Sequence, residues 1–152
     1  MLTLNAFKII GISVRTINKG NQSAKDIGKL WEQFYANKIF DKVPNKLSDS
    51  IYSIYTDYKS DFTDEYTTLL GFQVKNLEKI PEGLIGREFP TNTFTKFVAK
   101  GQMPKAIIDT WNDIWKKDKE LKRTYTYDFE VYSDKSQKGK DSEVELFLAT
   151  KG

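Results

Sequence analysis

The chain contains no histidine and no cysteine. Without imidazole, Ser-His-Asp and Cys-His catalysis are excluded within its 152 residues, as is imidazole ligation of a metal. Without thiols there is no disulfide, no thiolate nucleophile and no zinc–thiolate site. Chemistry, if there is any, falls to Glu, Asp, Tyr, Lys or Ser. Gly-rich phosphate loops, Walker motifs and the G-x-S-x-G elbow are missing as well. No cofactor and no metal are therefore expected. No apolar run approaches the roughly 20 residues of a membrane span, and "MLTLNAFKIIGISV" lacks the basic start and cleavage site of a signal peptide. The expectation is a cytoplasmic protein with no membrane partner. Charge of one sign is scarce too: 24 Lys and Arg face 21 Asp and Glu, and the lysines are scattered, so direct DNA binding is not expected.

Aromatic residues are abundant, with ten Phe, eight Tyr and three Trp. Large rings must carry much of the burial, and the polar ends of Tyr and Trp need partners. The length suits one domain spanning residues 1–152. "FKIIGISVRTI" (7–17) is rich in β-branched residues and reads as a strand. Ser23 followed by Asp26 resembles a capping box, and Ile27, Leu30, Trp31, Phe34 and Tyr35 recur at helical spacing toward Phe40. "SIYSIYTDY" and "EYTTLLGFQV" read as two strands. After "KIPEGL", residues 84–100 read as one long strand bent near Pro90. Pro104 opens a helix with the stripe Ile107, Ile108, Trp111, Ile114 and Trp115. "TYTYDFEVY" and "EVELFLAT" close the chain as strands.

The order β-α-β-β thus occurs twice, over about 7–74 and 84–150. Laying "IYTDYKSDFTDEYTTLLG" on "VYSDKSQKGKDSEVELFLA" matches Tyr55 to Tyr132, Asp57 to Asp134 and Glu65 to Glu143. The expected fold is α+β: duplicated β-α-β-β units forming one curved, antiparallel-rich sheet of eight strands, with two long helices on one face. A seam between two copies is a natural cleft.

"LWEQF", "IYTDY…EYTTLLGFQV", "IPEGL…TFTKFVAKG", "TWNDIW" and "DFEVY…EVELFLAT", taken in order, resemble the GyrI-like small-molecule-binding domains. These are the effector-binding domains of AraC- and MerR-type regulators, found also alone and in integron cassettes. The resemblance covers nearly the whole chain. It implies binding of lipophilic, often cationic, small molecules through a buried Glu in an aromatic pocket. It also leaves open a hydrolase of reactive lipophilic compounds on the same fold, or a protein inhibitor of DNA gyrase. No regulator-type helix–turn–helix region is expected, and binding is favoured over catalysis.

The resemblance carries over most directly to Glu130 of "FEVY". Taken alone, Glu130 reads first as a solvated strand residue paired with a lysine across the hairpin, since buried Glu is rare. Strand alternation places Tyr132 on its face and Phe129 and Val131 on the other, expected to pack under the helices. The ligand-binding candidates are Glu130, Tyr132, Tyr55, Trp115, Trp111 and Glu145, the last a second acid competing for the same role. By helical spacing Trp111 is expected to be core, like Trp31, while Trp115 near the helix end is the one to show an edge to a cleft. Tyr52 and Tyr58 are expected on the strand face opposite Tyr55. Tyr125 and Tyr127 are expected together on the face away from Glu130.

Overall fold

The computed structural model describes residues 1–151. Eight strands form one antiparallel sheet: β1 (Leu2–Leu4), β2 (Phe7–Ile17), β3 (Ile51–Thr56), β4 (Glu65–Val74), β5 (Ile85–Phe89), β6 (Asn92–Lys100), β7 (Tyr127–Tyr132) and β8 (Glu143–Ala149). The long helices are α1 (Gln22–Ala36) and α3 (Lys105–Lys116). Two single-turn helices, α2 (Ile39–Lys42) and α4 (Asp118–Leu121), follow them. Two 3₁₀ turns lie between β7 and β8. The strand order is β1-β6-β8-β7-β3-β4-β2-β5. Read from either edge it has the same form, with β3 and β7 paired at the centre.

Residues 84–100 are not one bent strand. β5 pairs with β2 at one end of the sheet, and β6 pairs with β1 and β8 at the other. Pro90 and Thr91 join them, and proline cannot donate to a ladder. The join also dictates the shape of the sheet. Phe89 and Asn92, three residues apart, stand six strand spacings apart in the sheet order. Flat, six spacings span about 29 Å, whereas three residues reach at most about 11 Å. The sheet must curl into a half-barrel. β1 and β2 repeat the arrangement, so each half contributes a leading strand to the other half's edge.

Curling creates two apolar environments. The helix-free face closes on Phe7, Ile54, Phe89, Phe94, Tyr127, Phe129 and Phe147, with Phe129 and Phe147 stacked at 4.8 Å. Tyr127 donates to the Pro90 carbonyl and so ties this core to the strand exchange. Gly11 and Gly71 face each other across β2 and β4, and a Cβ on either would meet the other strand's backbone at 1.9 and 2.4 Å. On the other face, α1 covers Ile10, Leu70 and Phe72, and α3 covers Ala99, Val144, Leu146 and Leu148. Phe129 belongs to the helix-free core and Val131 packs beside it, the reverse of the expectation. It is Glu130 that faces the helices.

Two local readings also change. Ser23 and Asp26 do not cap α1. Asn21 precedes the helix in a left-handed conformation, and Asp26 accepts from Thr16 and Gln22 instead. The register moves one of the aligned pairs. Ser53 pairs with Leu70, and Glu130 pairs with Leu146. If Tyr55 corresponds to Tyr132, then Leu70 corresponds to Leu146, and Glu65 corresponds to Asp141 rather than Glu143.

Candidate functional site

Ile12, Leu70, Ser53, Glu130, Leu146 and Phe97 form one row across the helix-facing side of β2, β4, β3, β7, β8 and β6. In the middle of that row α1 and α3 part, leaving a cavity of about 640 Å³. Glu130 is in its floor and is 2% exposed. A buried carboxylate needs donors, and three side chains supply them. Tyr55 Oη donates to Oε2 at 3.0 Å, Trp111 Nε1 to Oε2 at 2.5 Å, and Tyr132 Oη to Oε1 at 2.6 Å. They come from β3, α3 and β7. Burial pushes the Glu130 carboxyl above its ordinary range, while the hydrogen bonds from Tyr132, Trp111 and Tyr55 pull it back in part. Burial, reinforced by the neighbouring Glu130, holds the Tyr55 and Tyr132 hydroxyls well above theirs.

Two residues earlier on the same strand face, Asp128 shows the other solution to burying an acid. It is fully buried, and Arg123 meets it at 2.8 Å through Nη2. Tyr58 Oη and the Ala149 amide also donate to it, at 2.6 and 2.8 Å. Burial pulls the Arg123 guanidinium down, but Asp128, with Tyr58 and Tyr125 beside it, outweighs this and holds it above its ordinary range. Arg123 also pairs with Asp118 at 3.2 Å and lies 5.8 Å over the Trp111 ring. Asp128 therefore has a cation. Glu130 has only neutral donors, and among the described residues it makes no ion pair.

Aromatic rings wall the cavity in two matching sets. Trp111 stands edge-on to Tyr55 at 5.5 Å, and Trp31 stands edge-on to Tyr132 at 5.1 Å. At one end Phe62 stacks on Trp115 at 5.7 Å. Phe62 is carried on the β3–β4 loop. Arg87 anchors that loop through both oxygens of Asp57, and Asn18 holds the Phe62 carbonyl. Ile27, Ile107 and Ile108 complete the apolar lining, and Asn18, Asn21 and Ser23 make a polar corner at the start of α1.

The structure thus brings together Glu130, Tyr132, Tyr55, Trp111 and Trp115. It places Glu145 on the opposite face, paired with Lys96 at 2.5 Å beside Phe147 and lining a separate hollow with Tyr52. Neither Trp111 nor Trp31 is simply core, because both line the cavity. The twofold match of Trp31 with Trp111 was the signal for the former. Tyr58 also lines it, contrary to strict alternation, because Asp57 is left-handed (φ 51°) and ends the strand before Tyr58. Tyr125, left-handed itself, stacks edge-on against Tyr58 and donates to Asp118, apart from Tyr127. Among the described residues no cluster of three or more acidic side chains is placed to hold a metal ion, and no helix is long and apolar enough to cross a membrane.

Known proteins share this architecture. The integron cassette protein VCH_CASS2 from the mobile metagenome of Vibrio cholerae is 30% identical. The match covers 99% of this chain and 94% of that one, with a TM-score of 0.77. YobU of Bacillus subtilis (strain 168), a candidate transcriptional regulator, is 25% identical over 151 residues, 97% of this chain and 94% of YobU. The structure of SAV2435 bound to tetraphenylphosphonium superposes with a TM-score of 0.81, covering 99% and 92% of the two chains. At 18% identity it shows a shared fold. Residues 1–149 match the family described as "Cass2: Integron-associated effector binding protein", and the chain belongs to that family.

Proposed function

We propose that the chain is a single effector-binding domain whose cavity holds a lipophilic cation, with the Glu130 carboxylate as its counter-charge. The observation that carries this reading is the contrast between Asp128, neutralised by Arg123, and Glu130, buried among neutral donors in an aromatic-walled cavity. An uncompensated buried carboxylate is costly, and a cationic ligand relieves that cost. The tryptophan and tyrosine faces add cation–π attraction of about 0.5–2 kcal/mol per good contact. The lipophilic cation in SAV2435, a protein of the same fold, supports the class of ligand. The resulting role is sensing or sequestering such compounds in the cytoplasm.

The test is a pair of probes of one shape and opposite charge. Tetraphenylphosphonium should bind with a micromolar Kd, about −8 kcal/mol, and tetraphenylborate should bind at least tenfold more weakly. Equal affinity for the two ions overturns the proposal. The raised Glu130 carboxyl, flanked by two tyrosine hydroxyls, favours one second reading: general acid–base hydrolysis of a reactive lipophilic compound. Turnover of such a compound, abolished by Glu130→Gln, would select that reading.

A further inference from the structure

The hydrogen bonds around Glu130 limit what kind of cation it can serve. A carboxylate offers about four lone-pair sites, two on each oxygen. Oε2 accepts from both Tyr55 and Trp111, and Oε1 accepts from Tyr132. Three of the four are therefore filled by the protein itself. The donors are fixed parts of the wall. Tyr55 and Trp111 brace each other edge-on, Tyr132 is braced by Trp31, and Arg123 lies over the Trp111 ring. The remaining lining offers few free acceptors. The Asn18 carbonyl oxygen is already taken by Tyr66, the Tyr58 hydroxyl donates to Asp128, Arg123 is itself a cation paired with Asp128, and Asn21 and Ser23 lie in the corner at the start of α1.

We infer that the Glu130 site selects cations that carry no hydrogen-bond donors, such as quaternary ammonium, phosphonium and N-alkylated aromatic ions, over protonated amines and guanidines of equal charge. This inference rests on the cation-binding reading above and refines it. A donor-free cation needs only the field of the carboxylate and the faces of the rings. An ammonium with three N–H groups finds one free acceptor site on Glu130. It must leave the others unpaired against the aromatic walls, or pull a tyrosine or tryptophan donor away.

Dodecyltrimethylammonium and dodecylammonium share chain length and charge, and they differ in three methyls against three N–H groups. Their Kd values, read by tryptophan quenching at neutral pH below micelle formation, should differ by about tenfold or more in favour of the quaternary ion. Methyl burial alone also favours that ion, so the deciding measurement is the same ratio in Tyr132→Phe. That change frees a second site on Oε1, and the ratio should fall by about threefold or more through better ammonium binding. Equal affinities in the parent overturn the inference, and so does a ratio unchanged by Tyr132→Phe. If neither ion binds, the cation-binding reading fails along with it. If both bind without discrimination, only this inference fails.

Discussion

Ser53 and Glu130 face each other directly across the two central strands, a neutral residue and an acid at the meeting point of the two halves. Tyr55 lies two residues beyond Ser53, and Tyr132 two residues beyond Glu130. Each is braced by a tryptophan, Trp111 and Trp31 respectively. The cage is nearly symmetric in its rings and asymmetric in its charge. Glu130→Gln removes that charge and keeps the shape. The amide oxygen can accept from Tyr55 and Trp111, while the amide nitrogen donates to the Tyr132 hydroxyl. Cation affinity should fall by about 1–3 kcal/mol, the usual worth of a partly desolvated charge partner. Glu145→Gln, on the other face, should change it by less than about 0.5 kcal/mol. Calorimetric titration of both variants with tetraphenylphosphonium checks this, and a reversed order would show that the acid has been misassigned.

All three tryptophans of the chain, Trp31, Trp111 and Trp115, line the cavity. A ligand seated among them should quench most of the intrinsic fluorescence. Trp31→Ala should lower affinity by about 1–2 kcal/mol through lost ring area and a less supported Tyr132. Quenching that saturates at a small fraction of the signal, or a Trp31→Ala variant with parental affinity, would place the ligand elsewhere.

The fold class was legible in the sequence because it follows from local rules, whereas Glu130 was singled out by the family resemblance and not by any local pattern. Period-two and period-3.6 patterns give the repeated unit, and alternation pairs Glu130 with Tyr132. What was not legible depends on non-local geometry. The stretches on either side of Pro90 both carry strand character, and nothing local says that the chain changes edges there rather than bending, since that follows from the curl of the whole sheet. Phe129 was assigned to the wrong layer because alternation fixes which residues share a face but not which face the helices cover. Trp31 and Trp111 were read as core because an apolar stripe looks the same whether it packs fully or borders a gap between two helices. Tyr58 was misplaced by one left-handed residue, Asp57.

The facing glycines Gly11 and Gly71 give the curl a direct test. A methyl on Gly71 would sit 2.4 Å from the Ile10 carbonyl oxygen and 2.7 Å from the Ile9 Cγ2. The first contact is backbone and cannot rotate away. Gly71→Ala should therefore destabilise by about 2–3 kcal/mol, measured as a shift in the urea midpoint at constant slope. Gly28→Ala, where nothing lies within 4 Å of the added methyl, should be neutral or stabilising. A tolerant Gly71→Ala would mean that β2 and β4 approach less closely than described.

Arg123 and Asp128 are both buried, so removing one partner differs from removing both. Arg123→Met strands the Asp128 carboxylate and should cost about 3–5 kcal/mol. Asp128→Asn combined with Arg123→Met should recover a large part of that loss, because the fully buried carboxylate is gone and only the partly exposed Asp118 is left without its arginine. Trp111 should report the change in its emission, since the guanidinium lies over its ring. If the double variant is no more stable than Arg123→Met, packing of the arginine stem rather than charge compensation dominates.

Glu130 should also make both stability and ligand affinity depend on pH, with a definite sign. Its folded-state carboxyl titrates above the ordinary glutamate value of the unfolded chain, chiefly through burial. Between those two values the folded state holds more protons than the unfolded state, so stability falls as pH rises through the window. Below the unfolded value both states are protonated and the group contributes nothing. Above the folded value its cost is complete and constant. The stability of Glu130→Gln relative to the parent should therefore grow with pH across the window and then level off. Comparing the two proteins cancels carboxylates shifted the other way, such as Asp57 beside Arg87. A cation favours the ionised carboxyl, so its binding should expel a proton within the window. Affinity for tetraphenylphosphonium should climb with pH there and flatten above it, whereas Glu130→Gln should show no such climb. Titration calorimetry in two buffers of different ionisation heat counts the protons released. A parent protein whose cation affinity is flat from about pH 4 to about pH 8, with no proton release, would mean that the bound charge does not sense Glu130.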